Sequence, residues 1–326
     1  MRPVPVGVVG VGAWGEKHAR VYASLAEATL VGVYDQDAAR AAETAARHGG
    51  RAFPSVEALL EACEAVSIAV PTRAHRAVLE QAAARGRHAL VEKPVAGTVE
   101  DADAMIEAAR RAEITLQVGQ VERFNPAMTA ARPHVRVPKF IEAHRLAMFQ
   151  PRSLDIDVVF DLMIHDIDLV LHLVGEPPET VSAVGVAVLS GNEDIANARL
   201  EFADGCVANL TASRVSQERL RRMRFFQHDA YVSVDLFERT VDVLRLDLAM
   251  LKPEAPLEAL RRARPEVPGG EPLTLELQAF LRALRGDGEG AASARAGRDA
   301  LAVAAAVRAA MKQRASQWVS RSTAVS

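Results

Sequence analysis

Two groups of residues in this chain pair reactive types with spacings that would let them work together. The first is Asp161, His165, Asp168 and His172, spaced i, i+4, i+7 and i+11. At about 100° per residue, all four fall within one narrow arc of a helix. Leu162, Leu169, Leu173 and Val174 lie off that stripe. Three readings stand open. The stripe is the wall of a polar cleft, with His165 acting on a substrate hydroxyl and Asp161 orienting or binding. It is a metal site, since these are ligand types, although no further ligand is evident. Or it is a solvated face of i,i+4 pairs. Asp166 points elsewhere and has at most a structural role. The second group is Glu92-Lys93-Pro94, directly after an apolar strand. A lysine at a buried strand end needs a partner or a task. Pro94 removes a backbone donor and fixes the turn, so Lys93 is aimed. An amine and an imidazole suit acid–base work on a hydroxyl.

The elements that must position these groups begin at the N-terminus. Val6–Gly10 reads as a strand that runs into Gly10-x-Gly12-x-x-Gly15 and then a helix, Glu16–Ser24. A triple-glycine match gains weight in that strand–turn–helix context. Gly10 allows the tight turn, Gly12 admits a pyrophosphate to the backbone, and Gly15 lets helix and strand pack closely. Phosphates then meet free N–H groups at a helix N-terminus. Gly10, Gly12, Ala13, Trp14 and Gly15 are therefore the candidate cofactor cradle. A second strand ends at Asp35, 20 residues after Gly15, the spacing of a carboxylate that binds ribose hydroxyls. Such a carboxylate repels a 2′-phosphate, which favours NAD over NADP; Arg40 reads as a solvated charge on the following helix. The alternative is a glycine-rich turn with no nucleotide.

Strands and helices alternate to about residue 118, which predicts a parallel sheet with helices on both faces. Ligands in such sheets lie beyond the carboxyl ends of the strands. Pro71, Thr72 and His75 follow one strand end, and Glu92 and Lys93 follow the next, so all five are cofactor-side candidates. Thr72 is equally a helix cap and His75 equally a helix-surface residue. After Gly119 the texture changes. Arg123-Phe124-Asn125-Pro126 opens an irregular stretch, Phe140–Phe149 alternates, and Val158–Val174 reads as a helix ended by Gly175. Six period-two segments then run from Val181 to Leu246, predicting a largely antiparallel sheet. An acidic, proline-rich loop is expected over Lys252–Pro272, a helix over Thr274–Arg285, a flexible Gly286–Gly290, and an alanine-rich helix over Ala291–Arg314 that could pack on either domain. The expected division is a dinucleotide-binding domain at 1–120 and an α+β domain for substrate binding and oligomerisation at 121–326. Arg123, Asn125 and Arg214 are candidate substrate contacts; Arg123 and Arg214 also read as surface charges.

Composition limits the alternatives. The chain has 326 residues and a net charge of -3, with no electrostatic case for nucleic acid. Cys63 and Cys206 form no metal or redox motif and read as buried thiols of a reducing compartment. The N-terminus does not read as a signal peptide. No apolar run approaches the roughly 20 residues of a membrane helix. The expectation is a soluble, cytoplasmic protein.

The Gly-x-Gly-x-x-Gly opening, Glu92-Lys93-Pro94, and Asp161-x-x-x-His165 followed by Asp168, in this order, resemble the glucose–fructose oxidoreductase and inositol dehydrogenase (Gfo/Idh/MocA) family. The resemblance implies a Rossmann domain followed by an open-faced antiparallel sheet that often makes dimers or tetramers. It implies NAD as cofactor, no metal, Lys93 and His165 as catalytic residues, Asp161 on the sugar ring, and a Lys93-Pro94 peptide that is often cis. Many members carry glycines around the acid where this chain has Val158-Val159-Phe160-Asp161-Leu162-Met163, a departure that bears on the shape of the sugar pocket. A narrower resemblance rests on Gly119 to Pro126 and on Asp161 to Leu169. It is to bacterial members that oxidise the 3-hydroxyl of UDP-N-acetylglucosamine. The reaction implied is hydride transfer from a secondary sugar alcohol to NAD, with proton transfer assisted by Lys93 and His165. Alternatives are a free-sugar or inositol dehydrogenase, an NAD-assisted glycoside hydrolase, and a non-catalytic NAD sensor.

Overall fold

The computed structural model describes residues 2–150, 156–251, 255–287 and 290–323. The first elements are β1 (Val4–Val9), α1 (Ala13–Ser24), β2 (Ala28–Tyr34), α2 (Ala38–His48), β3 (Arg51–Ala52), α3 (Val56–Ala62), β4 (Ala65–Ile68), α4 (His75–Ala84), β5 (His88–Glu92), α5 (Val99–Arg111) and β6 (Leu116–Gly119). Caps expected from the sequence are made: the Ser55 side chain accepts from Ala58 N and that of Thr98 from Asp101 N.

α6 (Pro126–Ala131) and β7 (Phe140–Leu146) follow, then a π-helical turn, Val159–Met163, that leads into α7 (Ile164–Val174). β8 (Thr180–Val186), β9 (Ile195–Glu201), β10 (Val207–Ser213), β11 (Leu220–Phe226), β12 (Ala230–Asp235), β13 (Thr240–Leu246) and β14 (Leu260–Ala263) build a second sheet. α8 (Pro272–Leu284), β15 (Ala292–Ser293) and α9 (Ala294–Thr323) close the chain.

Contacts divide the chain into two units. The first is Met1–Phe124 with Gly270–Leu301, and the second is Asn125–Gly269 with Ala302–Ser326. The chain therefore does not divide at a single cut after residue 120. Helix α8 supplies the physical reason: its buried Leu273, Leu277, Phe280 and Leu281 join the core formed by Val6, Val8, Tyr22, Leu30 and Val33. Strand β15 extends the first sheet by pairing antiparallel with β6.

Among the described residues the first sheet has seven strands, ordered β15-β6-β5-β4-β1-β2-β3. β1 pairs parallel with both β2 and β4. The strand order reverses at β1, so the crevice beyond its carboxyl end is the ligand position of this architecture. The second sheet has eight strands, ordered β14-β13-β12-β11-β7-β10-β9-β8. It is antiparallel except for the parallel pair β7 and β10. Strand β14 lies inside the stretch expected to be a loop, of which Lys252–Glu254 lie outside the described residues; so do Gly288 and Glu289 of the glycine-rich segment. Both cysteines are buried thiols, and burial pushes each up to about 11. Among the described residues, no helix is long and apolar enough to cross a membrane.

Candidate active site

The first unit holds a cavity of about 590 Å³ beyond β1, lined among others by Gly10, Gly12, Ala13, Trp14, Asp35 and Pro71. Its size lies within the roughly 300–1,000 Å³ of small-molecule sites. The glycine loop is built by steric necessity. Gly10 has φ +84°, and a Cβ on Gly15 would stand 1.7 Å from the Gly10 carbonyl oxygen, so no side chain fits there. A Cβ on Gly12 would meet nothing within 4 Å; the backbone there opens toward the place a pyrophosphate takes. Asp35 ties the end of β2 to this loop. Its Oδ2 accepts from Val11 N at 2.8 Å and its Oδ1 from Asp37 N at 2.9 Å. Oδ1 also accepts from Arg40 Nη1 at 3.5 Å, which leaves Oδ2 with lone-pair capacity for a ribose hydroxyl. These residues fit an adenine dinucleotide. Arg40 is exposed, as a solvated charge should be, and it also lines the same cavity, 3.5 Å from Asp35 and 3.2 Å from Asp37.

Thr72, His75, Glu92 and Lys93 do not line that cavity. Thr72 opens a 3-10 turn, Thr72–Ala74. His75 is 1% exposed, against the surface position open to it in the sequence. Its Nε2 lies 2.9 Å from the Val70 carbonyl and its Nδ1 lies 3.2 Å from that of Val95. Burial holds its pKa below the ordinary imidazole value. Its place is structural: it braces the strand end that carries Pro71 against the chain after Pro94.

The Lys93-Pro94 peptide is cis. Behind it runs a buried polar chain that sequence reading missed. Tyr22 OH lies 2.9 Å from Ser67 Oγ, Ser67 Oγ lies 3.0 Å from His18 Nδ1, and His18 Nε2 lies 2.8 Å from Glu92 Oε1. Burial pushes the Tyr22 phenol far up, so it stays a neutral hydrogen-bonding group. The chain holds the Glu92 carboxylate, and with it the backbone from which Lys93 departs. His18 and Tyr22 sit i, i+4 on α1, a spacing visible in the sequence; Ser67 on β4 gives no local signal.

In the second unit, the helix expected over Val158–Val174 starts as a π-turn capped by Asp157. That carboxylate accepts from Val159 N at 3.0 Å and Phe160 N at 3.2 Å. Wide turns of this kind concentrate at functional sites. Here the turn shifts Asp161 out of simple α-helical phase with His165. The polar stripe is also uneven: Asp161 is half-buried, His165 is 9% and Asp168 1% exposed, and His172 is exposed. A wholly solvated face is thereby excluded. Among the described residues, no group of three or more His, Cys, Asp or Glu is arranged to hold a metal ion. Asp166 does have a structural partner. It binds Arg145 in a bidentate pair, Nε to Oδ2 at 3.0 Å and Nη2 to Oδ1 at 2.7 Å, and both side chains are buried.

A cavity of about 170 Å³ opens beside Asp161, lined also by Arg145, Arg214, Arg219 and Arg221. Arg214 is no surface charge. It is 4% exposed, and its Nε donates to Asp194 Oδ1 at 2.8 Å. Burial raises the Asp194 carboxyl, but hydrogen bonds from Ser190 and Leu189 and the Arg214 guanidinium outweigh it and hold the pKa well below the carboxylate range. Asn125 caps α6 through Ala127 N at 3.1 Å and donates to the Leu236 carbonyl at 3.0 Å, so its amide serves the backbone. Arg123 stands half-buried in the 3-10 turn Val121–Phe124 of the first unit.

A Rossmann cradle with a Glu-Lys-Pro strand end, followed by an open sheet bearing an Asp-x-x-x-His helix, defines a class of dehydrogenases. Residues 4–120 match the Gfo/Idh/MocA model for an oxidoreductase family with an NAD-binding Rossmann fold, and residues 117–232 match a C-terminal domain model of the same family. The chain belongs to the Gfo/Idh/MocA family of oxidoreductases. It is 43% identical over 307 residues to UDP-N-acetylglucosamine 3-dehydrogenase of Acidithiobacillus ferrooxidans, covering 94% of this chain and 96% of that one. A solved structure of that dehydrogenase superposes with a TM-score of 0.89 over 96% of this chain and 99% of the other. Inositol 2-dehydrogenase of Rhizobium meliloti is 28% identical over 65% of this chain and 69% of its own. A levoglucosan dehydrogenase bound to NADH and levoglucosan shares the fold, with a TM-score of 0.84 at 20% identity over 96% of this chain and 98% of its own.

Proposed function

We propose that this oxidoreductase removes hydride from carbon 3 of UDP-N-acetylglucosamine and delivers it to NAD, leaving a 3-keto sugar nucleotide. The observation that carries the reading is the 43% identity to a UDP-N-acetylglucosamine 3-dehydrogenase across nearly the full length of both chains. When bound, the dinucleotide would supply its nicotinamide ring as the hydride acceptor. Gly10, Gly12, Ala13, Trp14 and Gly15 cradle its pyrophosphate, and Asp35 takes the ribose hydroxyls. The Asp35 carboxylate repels a 2′-phosphate and favours NAD over NADP, with Arg40 the residue that would soften that preference.

The roles of this chain's own residues follow from their chemistry. His165 has an imidazole, whose ordinary pKa of about 6.5 suits removal of the hydroxyl proton. Lys93, as ammonium, would stabilise alkoxide character on a substrate oxygen. Asp161 accepts from sugar hydroxyls. Thr72, His75 and Glu92 support the cofactor side through the backbone they brace. The active form is a homo-oligomer built through the second sheet, which light scattering would measure.

The test is a panel of nucleotide sugars and free sugars with NAD, read by NADH absorbance and product mass. The proposal expects NADH to form with UDP-N-acetylglucosamine and a product lighter by two hydrogens. Turnover of inositol or a free hexose in its place would overturn the substrate. Release of a free sugar without net NADH would mark an NAD-assisted hydrolase.

A further inference from the structure

Three polar side chains stand in the core of the first unit: His18 and Tyr22 on α1 and Ser67 on β4, each 0% exposed. Ser67 lies on a strand that is buried throughout. Stability does not call for them. Replacing both partners of a buried hydrogen bond by apolar groups of like shape is close to neutral. The hydrogens, however, run in one direction. A carboxylate only accepts, so His18 Nε2 donates to Glu92 Oε1 at 2.8 Å. The neutral ring's Nδ1 then accepts from Ser67 at 3.0 Å, and Ser67 Oγ accepts from Tyr22 OH at 2.9 Å. Three hydrogens fill three gaps, and every donor is directed toward Glu92. Donors in series polarise one another. Glu92 has a second constraint. Its partner on β6 is Gly119, where a Cβ would stand 3.0 Å from Glu92 Oε1 and 3.2 Å from its Cδ. The glycine leaves the room that the carboxylate fills. The Glu92 side chain is 13% exposed, and its carboxylate has lone-pair sites beyond the one that His18 uses. All of these elements belong to the first unit.

We infer that His18, backed by Ser67 and Tyr22, is a positioning residue that seats the Glu92 carboxylate as a contact for the nicotinamide half of the dinucleotide. Strand order assigns Glu92 to that half. The pyrophosphate belongs at the start of α1, beyond β1, where the order reverses. Asp35 at the end of β2, and the cavity it lines, take the adenosine side. Strands β4 and β5 lie on the other side of β1. Two strand spacings of about 4.8 Å put the end of β5 roughly 10 Å from that of β1, the reach of one nucleoside beyond the pyrophosphate. A nicotinamide riboside offers hydroxyls and a carboxamide N–H, the donors that a carboxylate accepts from. A carboxylate already fixed by His18 has less side-chain freedom to lose on binding. The inference rests on the nicotinamide cofactor of the proposed reaction and is independent of which sugar is oxidised.

The test is calorimetric titration of the full chain, without sugar, with NADH and separately with ADP, which has the adenosine and diphosphate but no nicotinamide riboside. His18→Leu and Glu92→Gln should each weaken NADH about tenfold and leave ADP within about twofold. His18→Gln keeps a donor for Glu92 and an acceptor for Ser67 and should recover most of the loss. Tyr22→Phe should weaken NADH less than His18→Leu does. Because His18 acts through Glu92, adding His18→Leu to Glu92→Gln should weaken NADH no further. If His18→Leu unfolds, which a thermal melt would show, Glu92→Gln with and without Tyr22→Phe keeps the test. NADH and ADP weakened alike in a folded variant, NADH affinity unchanged in Glu92→Gln, or additive losses in the double variant would overturn the inference. A native protein that binds no NADH would overturn the cofactor reading itself. Absence of turnover with UDP-N-acetylglucosamine would overturn the proposed substrate and leave the role of His18 standing.

Discussion

The two units hold their polar groups by opposite means. The cradle of the first unit is mostly backbone: three glycines, a helix start, and one carboxylate that accepts two main-chain N–H groups. The site region of the second unit is mostly side chain: a π-turn, two buried Arg–Asp pairs, and arginines drawn from β7, β11 and the turn after β10. A backbone site is local in sequence, because the turn that builds it is a handful of consecutive residues. A side-chain site is assembled across strands. It tolerates buried charge only where each charge has a partner, since an uncompensated buried ion costs several kcal/mol. The first design suits an invariant ligand such as a dinucleotide. The second can be revised one residue at a time to suit a new substrate.

The largest effect that would sharpen this contrast is catalytic. Lys93→Ala or His165→Ala should lower kcat by about 10²–10⁴, the usual worth of an acid–base group, with NAD affinity retained in a fluorescence titration. Normal kcat in either variant would remove that residue from the chemistry. Next comes the buried pair. Asp166→Asn leaves Arg145 buried without its carboxylate and should cost about 3–5 kcal/mol, read from denaturant unfolding; a loss under 1 kcal/mol would make the pair replaceable and weaken the contrast.

In the cradle, Asp35→Ser should shift the NAD-to-NADP preference about tenfold toward NADP, or about 1.4 kcal/mol. An unchanged preference in kcat/KM would contradict the ribose role. A further effect is in acid. Asp194 has a folded pKa depressed below its unfolded value, so its contribution to stability is full above the ordinary carboxylate value of about 3.9 and is lost as pH falls through the folded one. Thermal melts should show the native protein losing its advantage over Asp194→Asn as pH drops below about 4. A gap that does not depend on pH would contradict the pairing.

The same contrast governs what could be read from the chain in advance. The glycine turn, Asp35 and the strand end at Lys93 are local signals: each follows directly on a strand, β1, β2 or β5, that a few consecutive residues define. The alternation of β8 to β13 was legible because one face of each strand is buried. Strand β14 was not, since all four of its residues are exposed and carry no alternation. The return of α8 to the first unit was hidden because an amphipathic helix shows that it has an apolar face, not which core that face joins. Arg214 was singled out, but Arg145, Arg219 and Arg221 were not. Arg145 and Arg221 meet only through a register between β7 and β11 that joins residues far apart in sequence. The π-turn at Asp161 likewise broke a phase that simple helical spacing assumed.

The central claim is that hydride leaves carbon 3 of a UDP-sugar for the cofactor held at the glycine loop. UDP-N-acetylglucosamine carrying deuterium only at carbon 3 tests it directly, with the label followed by mass spectrometry. The account predicts one deuterium in each NADH formed and none in the keto product. Unlabelled NADH, or deuterium retained in the product, would contradict it.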